Sequence, residues 1–314
     1  MGFRERWQSE DGRRTAGKVL RRLRWGRSLD GLGLPTVDGR LDLRGFTLDE
    51  PSFTPVSAAG LTVDVAQGKL PEFRKLRLRG VDLSDARLRH LRLTDARLED
   101  CVFRDADLTD FRAWRCRLDT CDLGGADLTG AVLSARHRGS GTTWRNCSFD
   151  RTVLDDIDAE GAVFEGCAFE HVVIDSVVFD GCSFLDTRVT GSLVNSTFSG
   201  SNPPRGAEPA TMSNFDLRDC RFTGVDFVGL KLSGVQLPQQ ESVVVLPRAG
   251  KLLEQLRAVI AAQPGDNRYL TFWTDYHLNL LRPDDDLYLD YDRISRNTDE
   301  QGVALVRDVV ASAT

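Results

Sequence analysis

The sequence predicts an all-β solenoid, a chain wound into a coil around its own core, and three observations point there. Large apolar residues recur every five positions: Phe73, Leu78, Leu83, Leu88, Leu93, Leu98, Phe103 and Leu108 open a run that continues through Leu118, Leu123, Leu128 and Leu133. An apolar and mostly small residue stands two places before each, as Ala86, Ala96, Cys101, Ala106, Cys121 and Ala126 do. Where the central residue shrinks its partner grows, Ala113 with Phe111 and Ala159 with Ile157, which is the volume compensation of a close-packed interior. A period of five suits neither regular element. In an α-helix five residues turn the side chain by roughly 500°, so successive ones miss each other by about 140°. In a flat strand an odd step sends every second residue to the opposite face. A chain that turns a corner once per five residues restores the orientation, and such a chain is a coil.

In chain order, residues 1–37 form a basic N-terminal segment with a net charge of +5. Within it "RRTAGKVLRRLRW", 13–25, sets Ala16, Val19 or Leu20, and Leu23 along one helical stripe. The stripe suits a helix that caps the open end of the coil, since an uncapped coil exposes both core and strand edges. The alternative is a basic helix for an acidic partner or a membrane surface. The coil occupies 38–237. Leu43, Leu48 and Phe53 are in phase with Phe73, although 54–70 fit the period only loosely. A second tract runs through Trp144, Phe149, Leu154, Phe164, Phe169, Ile174, Phe179, Phe184 and Val189, then slips by one to Leu193 and Phe198. A third runs from Leu217 through Phe222, Phe227 and Leu232 to Leu237. Two stretches interrupt the period, 134–146 with Gly139 and Gly141, and 199–213 with Pro203, Pro204 and Pro209. Glycine and proline clusters of this kind read as loops leaving a scaffold. The period ends at Pro238 and a helical C-terminal region, 238–314, follows. Helices are expected over 249–263 and 269–282, and from Thr298, where Thr298 and Gln301 have capping-box spacing. The run Asp284, Asp285, Asp286 lacks the spacing of a calcium loop and reads as solvated.

"ADLTD" at 106–110 and "ADLTG" at 126–130 resemble the A(D/N)Lxx motif of the pentapeptide-repeat proteins, and the resemblance covers about residues 38–237. It implies a right-handed β-helix of square cross-section with four pentapeptides per coil, the central residue and the one two before it pointing inward. The spacing alone leaves the number of sides open, because every interval is a multiple of five. Members of the family include proteins that engage DNA gyrase and protect it from quinolones, and many end in a helix that pairs two coils into a dimer.

Composition narrows the function classes. All seven cysteines fall at the inward small position, which favours buried apolar thiols over disulfides or a nucleophile. The four histidines have no ligand spacing, so no metal and no cofactor are expected. No nucleophile elbow, phosphate loop or partnered histidine suggests catalysis. The start "MGFRERWQSE" lacks an apolar signal core and no segment reaches the ~18 apolar residues of a membrane span, so the expected location is the cytoplasm. The net charge of −6 is unevenly spread: residues 72–133 hold twelve basic and twelve acidic side chains, residues 147–198 two and ten.

The first expectation is therefore a non-catalytic scaffold that binds another protein. The alternative is an acidic rod of roughly ten coils, on the order of 45–50 Å long, that mimics DNA and binds a topoisomerase, giving antibiotic resistance or self-immunity; direct nucleic-acid binding is not expected. A basic ladder of Arg77, Arg97 and Arg117 on a square coil weighs against mimicry. A third reading puts an accessory or enzymatic pocket between tail and coil. Candidate partner-binding residues are Asp155, Asp156, Asp158, Glu160, Glu165, Glu170, Asp175 and Asp180, with Arg136, Arg138 and Trp144 of the first loop and Arg205 of the second. Leu252, Leu253, Leu256, Val259 and Ile260 form the tail helix stripe for a possible homodimer.

Overall fold

A computed structural model describes residues 2–48, 52–58, 61–67, 69–135, 141–200, 209–263, 267–282 and 284–313. Arg77 pairs in parallel with Arg97 and Arg97 with Arg117, while Leu93 pairs with Ala113. Twenty residues close one turn, so four pentapeptides make four sides and the coil is a right-handed square β-helix. The first side is centred on Leu78, Leu98, Leu118, Trp144, Phe164, Phe184 and Met212. The second follows through Leu83, Phe103, Leu123 and Phe149, the third through Leu88, Leu108, Leu128 and Leu154, and the fourth through Leu93, Ala113, Leu133 and Ala159. Each central N–H donates to the carbonyl one turn further on, as Leu83 does to Val102 at 2.7 Å and Leu123 to Ser148 at 2.8 Å.

The corner residue, two after each centre, explains how a period of five is possible. Asp85, His90, Asp95, Asp100, Asp105 and Asp110 all have φ between 54° and 58°. This left-handed conformation bends the strand by one corner, and the short polar side chains of Asp and Asn tolerate it better than most. On the second side Leu43, Leu83, Phe103, Leu123, Phe149, Phe169, Val189, Leu217 and Leu237 follow one another. These nine layers at ~4.8 Å make a rod of about 38 Å, shorter than the period suggests.

The missing height lies in residues 52–67. They form an antiparallel hairpin, Ser52–Ala58 with Leu61–Gln67, and not a turn of coil. Leu48 ends one layer, its neighbour Thr47 pairing with Arg87, and the fourth side resumes at Phe73. Phe53 would have filled that position. The insertion is one coil long, so Phe53 keeps the phase while standing outside the repeat. The one-residue slip also has a local cause: Val172 pairs with Gly191 and Ile174 with Leu193, a turn of nineteen residues. Gly191 sits at φ 119°, where a Cβ would lie 2.0 Å from the Val172 carbonyl oxygen, so only glycine fits.

The interior is aliphatic in the first tract and aromatic in the second. Phe149 stacks on Phe169 at 4.3 Å, and Phe179, Phe198 and Phe227 form a column at 5.0 and 4.8 Å. Helix α1, Glu10–Arg24, closes the N-terminal end, with Val19 and Leu23 in one cluster with Leu29, Phe46, Leu48 and Phe73. Ser9 caps it, and Arg6 grips Asp42 through two 2.7 Å hydrogen bonds.

At the other end the tail combines an antiparallel pair, Val243–Leu246 with Leu287–Asp290, and helices α2 (Gly250–Ala262), α3 (Arg268–Leu280), α4 (Tyr291–Ser295) and α5 (Glu300–Ala313). The tail is thus not wholly helical. Tyr288 lies against Phe227, with ring centroids 5.2 Å apart. The Asp284–Asp286 run is not a free solvated loop. Asp286 gives its backbone N–H to the Leu230 carbonyl and accepts the Leu232 N–H at 2.8 Å, which terminates the open strand edge; Asp285 is buried and accepts the Arg282 N–H.

Candidate partner-binding surface

A pentapeptide strand points its central residue inward and the residues before and after it outward. The outward charges of the first tract find one another. Arg115 pairs with Asp95 at 2.7 Å, Arg104 with Asp122 at 2.6 Å, and Arg40 with Asp100 at 2.6 Å. The second tract behaves differently. Glu165, on the first side, is held by Arg145 at 2.9 Å, and Glu170 stands on the second side. Asp155 and Asp175 lie on the third side, Asp156 on the corner, and Asp158, Glu160 and Asp180 on the fourth. None of these six has an ion-pair partner among the described residues. The eight candidates therefore divide into two outlying residues and a cluster of six around one corner. Beside that cluster Val153 and Val173 on the third side are 40% and 59% exposed, and Val178 on the fourth is 55% exposed. These valines occupy the outward position where the A(D/N)Lxx motif calls for Asp or Asn, and a valine there is the signal that acidic composition alone misses.

Trp144 has to be removed from the partner-binding set. It is the central residue of the first side, fully buried, and its indole N–H donates to the Leu133 carbonyl at 3.2 Å. Arg136, Arg138 and Arg205 lie outside the described residues. The flanks of both loops do share one corner: the coil leaves after Leu133 and after Phe198 on the fourth side and resumes at Trp144 and Met212 on the first. The tail stripe also changes role. Leu252, Leu253, Leu256 and Ile260 are buried against Leu270, Trp273 and Val306, with Val259 packed beside them. They are consumed inside their own chain and offer no surface to a second copy.

The seven cysteines are free thiols buried inside the coil. Cys101, Cys121, Cys147 and Cys167 stand in one column, each carbonyl accepting from the strand one turn further on. Burial pushes the Cys116 thiol up to about 11 and that of Cys220 up to about 12. Among the described residues no cluster of three or more His, Cys, Asp or Glu could hold a metal ion, and no helix is long and apolar enough to cross a membrane.

Between coil and tail runs an open cleft of about 870 Å³, lined by Thr223, Gln240, Ser242, Tyr291, Arg296 and Arg307 among others. Beside it lies a buried polar junction that the sequence does not announce. Asp226 occupies an outward position of the repeat, yet the tail covers it; burial raises its carboxyl to about 6 although Arg293 pairs with it at 2.9 Å. His277 of α3 is fully buried, neither ring nitrogen has a partner among the described residues, and burial together with Arg293 lowers it to about 3.

The sequence matches the family model described as pentapeptide repeats, in eight copies, over residues 77–112, 96–134 and 210–237. No curated protein matches the chain. Among solved structures, a trypsin-treated variant of QnrB1, a plasmid-mediated fluoroquinolone resistance protein, is 18% identical over 63% of this chain and 87% of its own, with a TM-score of 0.34. HetL, a pentapeptide repeat protein involved in heterocyst differentiation regulation from the cyanobacterium Nostoc sp. strain PCC 7120, is 18% identical over 71% of this chain and 97% of its own, with a TM-score of 0.17. Rfr23, a pentapeptide repeat protein from the cyanobacterium Cyanothece 51142, is 12% identical over 62% and 87%, with a TM-score of 0.16.

Proposed function

We propose that this chain, a pentapeptide-repeat protein, is a non-catalytic scaffold that binds another protein through the third side of its second tract. The observation that carries the reading is the combination of Val153 and Val173, exposed one above the other, with Asp155, Asp156 and Asp175, which have no counter-charge among the described residues. An apolar strip rimmed by unpaired carboxylates suits a partner surface of lysine or arginine around an apolar centre. The first tract, many of whose charges pair with one another, has less to offer.

The test is affinity capture from native extract with the wild-type chain and with Asp155→Lys/Asp175→Lys and Val173→Ser as bait. Capture of one partner that falls at least tenfold with either variant supports the reading. A partner held equally well by all three moves the contact off this side.

A second reading, mimicry of DNA toward a topoisomerase, is favoured by one observation: Asp127, Asp155, Asp156 and Asp175 rise along the third side and its corner over about 10 Å. A duplex carries about six phosphates over that length, one per ~1.7 Å, and these four carboxylates supply about two thirds as many. Arg77, Arg97 and Arg117 stack on the opposite side, so mimicry would be confined to a short stretch. Inhibition or quinolone rescue of gyrase supercoiling by the purified chain, abolished by the same Asp155→Lys/Asp175→Lys variant, would favour this reading; no response at micromolar protein would remove it.

A further inference from the structure

We infer that the first side of the first tract, with the corner it shares with the fourth side, is a binding surface for single-stranded nucleic acid. Two columns of outward residues on the same strands carry the inference. The column after each centre is balanced. It reads Arg79, Glu99, Asp119, Arg145, Glu165, and Arg79 pairs with Glu99 at 3.4 Å while Arg145 pairs with Glu165 at 2.9 Å. The column before each centre reads Arg77, Arg97, Arg117, then Thr143 and Val163. Its three arginines are exposed, on rungs ~4.8 Å apart. Arg77 and Arg97 have no ion-pair partner among the described residues, and Arg117 reaches Asp119 only at 3.7 Å. Like charges directly opposite one another on neighbouring strands are destabilising. A chain that neutralises one column and stacks three bases in the next bears a cost that a bound polyanion removes.

The ladder continues into the N-terminal cap. Lys75, exposed on the corner before Arg77, lies beside Gly26, where a Cβ would stand 4.0 Å from the Lys75 carbonyl oxygen. That contact brings the end of α1 to the foot of the ladder. Arg21, Arg24 and Arg27 are exposed there without an ion-pair partner among the described residues, and no acidic residue occurs from Gly12 to Leu29. Trp25 is 74% exposed. A second tryptophan stands on the fourth side at the same corner. Arg74, Thr94 and Trp114 pair rung by rung, so Trp114, half-buried, lies two layers, about 10 Å, above the level of Arg74. The acid between Lys75 and Arg115 in the corner column, Asp95, is already held by Arg115 at 2.7 and 2.9 Å.

Chemistry selects the ligand. Guanidinium groups pair with phosphates, and an exposed indole stacks on a base whatever the sequence. In a duplex the base faces are already stacked on one another, so the two tryptophans gain nothing; in an unpaired strand every base offers its face. A lipid surface needs its aromatic anchors at one level, and Trp114 stands on the wall of the coil two layers from the end that carries Trp25. The net charge of −6 points away from nucleic acid for the chain as a whole. Its unpaired carboxylates, however, are gathered on the third side of the second tract, with the coil between them and the ladder. The ladder is thus separate from the side proposed to bind protein, and either can fail alone.

Fluorescence anisotropy of a labelled oligothymidylate of about twelve nucleotides with the full chain, in about 50 mM and about 200 mM salt, tests this. The expected result is binding at micromolar protein, with log K falling against log salt at a slope of about −3, as for about four neutralised phosphates. Arg77→Gln/Arg97→Gln should weaken binding at least tenfold and flatten the slope. Trp25→Ala should weaken it at least fivefold and leave the slope unchanged. Arg257→Glu alters the net charge as much as the arginine pair does, on an exposed position of α2 at the other end of the rod, and should bind like wild type. No binding at about 50 μM protein in the lower salt overturns the inference. So does equal affinity for a duplex of the same length, binding to phosphatidylserine vesicles without binding to the oligonucleotide, or a loss with Arg257→Glu as large as with the arginine pair. Should the double variant disturb the coil, Trp25→Ala and the wild-type salt slope still decide, since Trp25 lies on the surface of the cap.

Discussion

Within the coil a side chain rests on its counterpart one turn away, whereas within the tail and its junction each buried group has a different kind of neighbour. Phe198 stacks between Phe179 and Phe227, and Cys121 stands between Cys101 and Cys147. At the junction Asp226, Arg293 and His277 meet Trp273 and Tyr276, and α2 packs Leu253 and Ile260 against α3 and α5. Repetition lets the coil interior hold apolar side chains, thiols and the backbone-bonded hydroxyls of Thr142, Thr152, Thr187 and Ser196, because one solution is copied layer by layer. The tail closes the coil only once and has no copy to lean on, so it buries ionisable groups and bears their desolvation cost. The coil should respond to lost volume, the junction to lost charge balance and to pH.

The largest effect is expected in the aromatic column. Phe198→Ala removes the middle ring of three and should destabilise the coil by about 3–5 kcal/mol, the usual cost of a buried phenylalanine truncation. Chemical denaturation monitored by circular dichroism measures the loss, and hydrogen exchange should place the faster opening in rungs 178–199 and 226–228, the two neighbours of the missing ring. A loss below about 1 kcal/mol would mean that the column is loosely packed and that the contrast with the tail is not one of packing.

How much of this was legible in the sequence follows the same contrast. Inward positions repeat and announce themselves: Leu123, Cys121 and Phe164 are each one of many. What the repeat could not reveal was whatever keeps its phase without obeying it. Phe53 sits in step with Phe73 because the hairpin over 52–67 is one coil long. Asp226 stands where the motif calls for a solvated aspartate, and only the position of the tail shows that it is buried. Trp144 is legible as a central residue, and only its place beside a glycine-rich loop suggests a binding role that its burial rules out. The leucines of α2 have the spacing of any amphipathic helix, and spacing does not say whether the stripe meets its own chain or another. Of the candidate surface, the acidic residues were legible and their grouping was not, since four sides distribute neighbours in sequence to different faces.

A smaller effect tests charge balance at the junction. Arg293→Met leaves Asp226 buried without its cation and should cost about 3 kcal/mol in the stability of the tail. Asp226→Asn combined with Arg293→Met removes both charges and should lie within about 1 kcal/mol of wild type, since the penalty belongs to the orphaned partner and not to the absence of the pair. Hydrogen exchange in α3 and α4 reads both. A double variant as unstable as the single one would show that Arg293 contributes through packing.

The smallest effect at neutral pH carries the clearest signature. His277 is buried neutral with both ring nitrogens unpartnered among the described residues, facing Arg293, Trp273 and Tyr276. His277→Phe should stabilise the tail by about 1–2 kcal/mol at pH 7, because the two unsatisfied ring nitrogens are removed. The sign of the pH dependence follows from the two shifts. His277 falls from 6.5 to about 3 in the folded chain, so wild type loses stability as pH drops below 6.5. Asp226 rises from 3.8 to about 6, so its contribution is present below 3.8 and lost as pH climbs through 6. Between about pH 4 and 6 the two oppose each other, and wild-type stability should be nearly flat. In His277→Phe only the Asp226 contribution remains, and the variant's advantage should widen by about 1.4 kcal/mol per pH unit from 6.5 downward. Protection of the α3 amides at pH 7 and pH 5 measures the difference. An advantage equal at both values would mean that His277 is protonated in the folded chain and that the junction holds its charge by a contact other than Arg293 and Asp226.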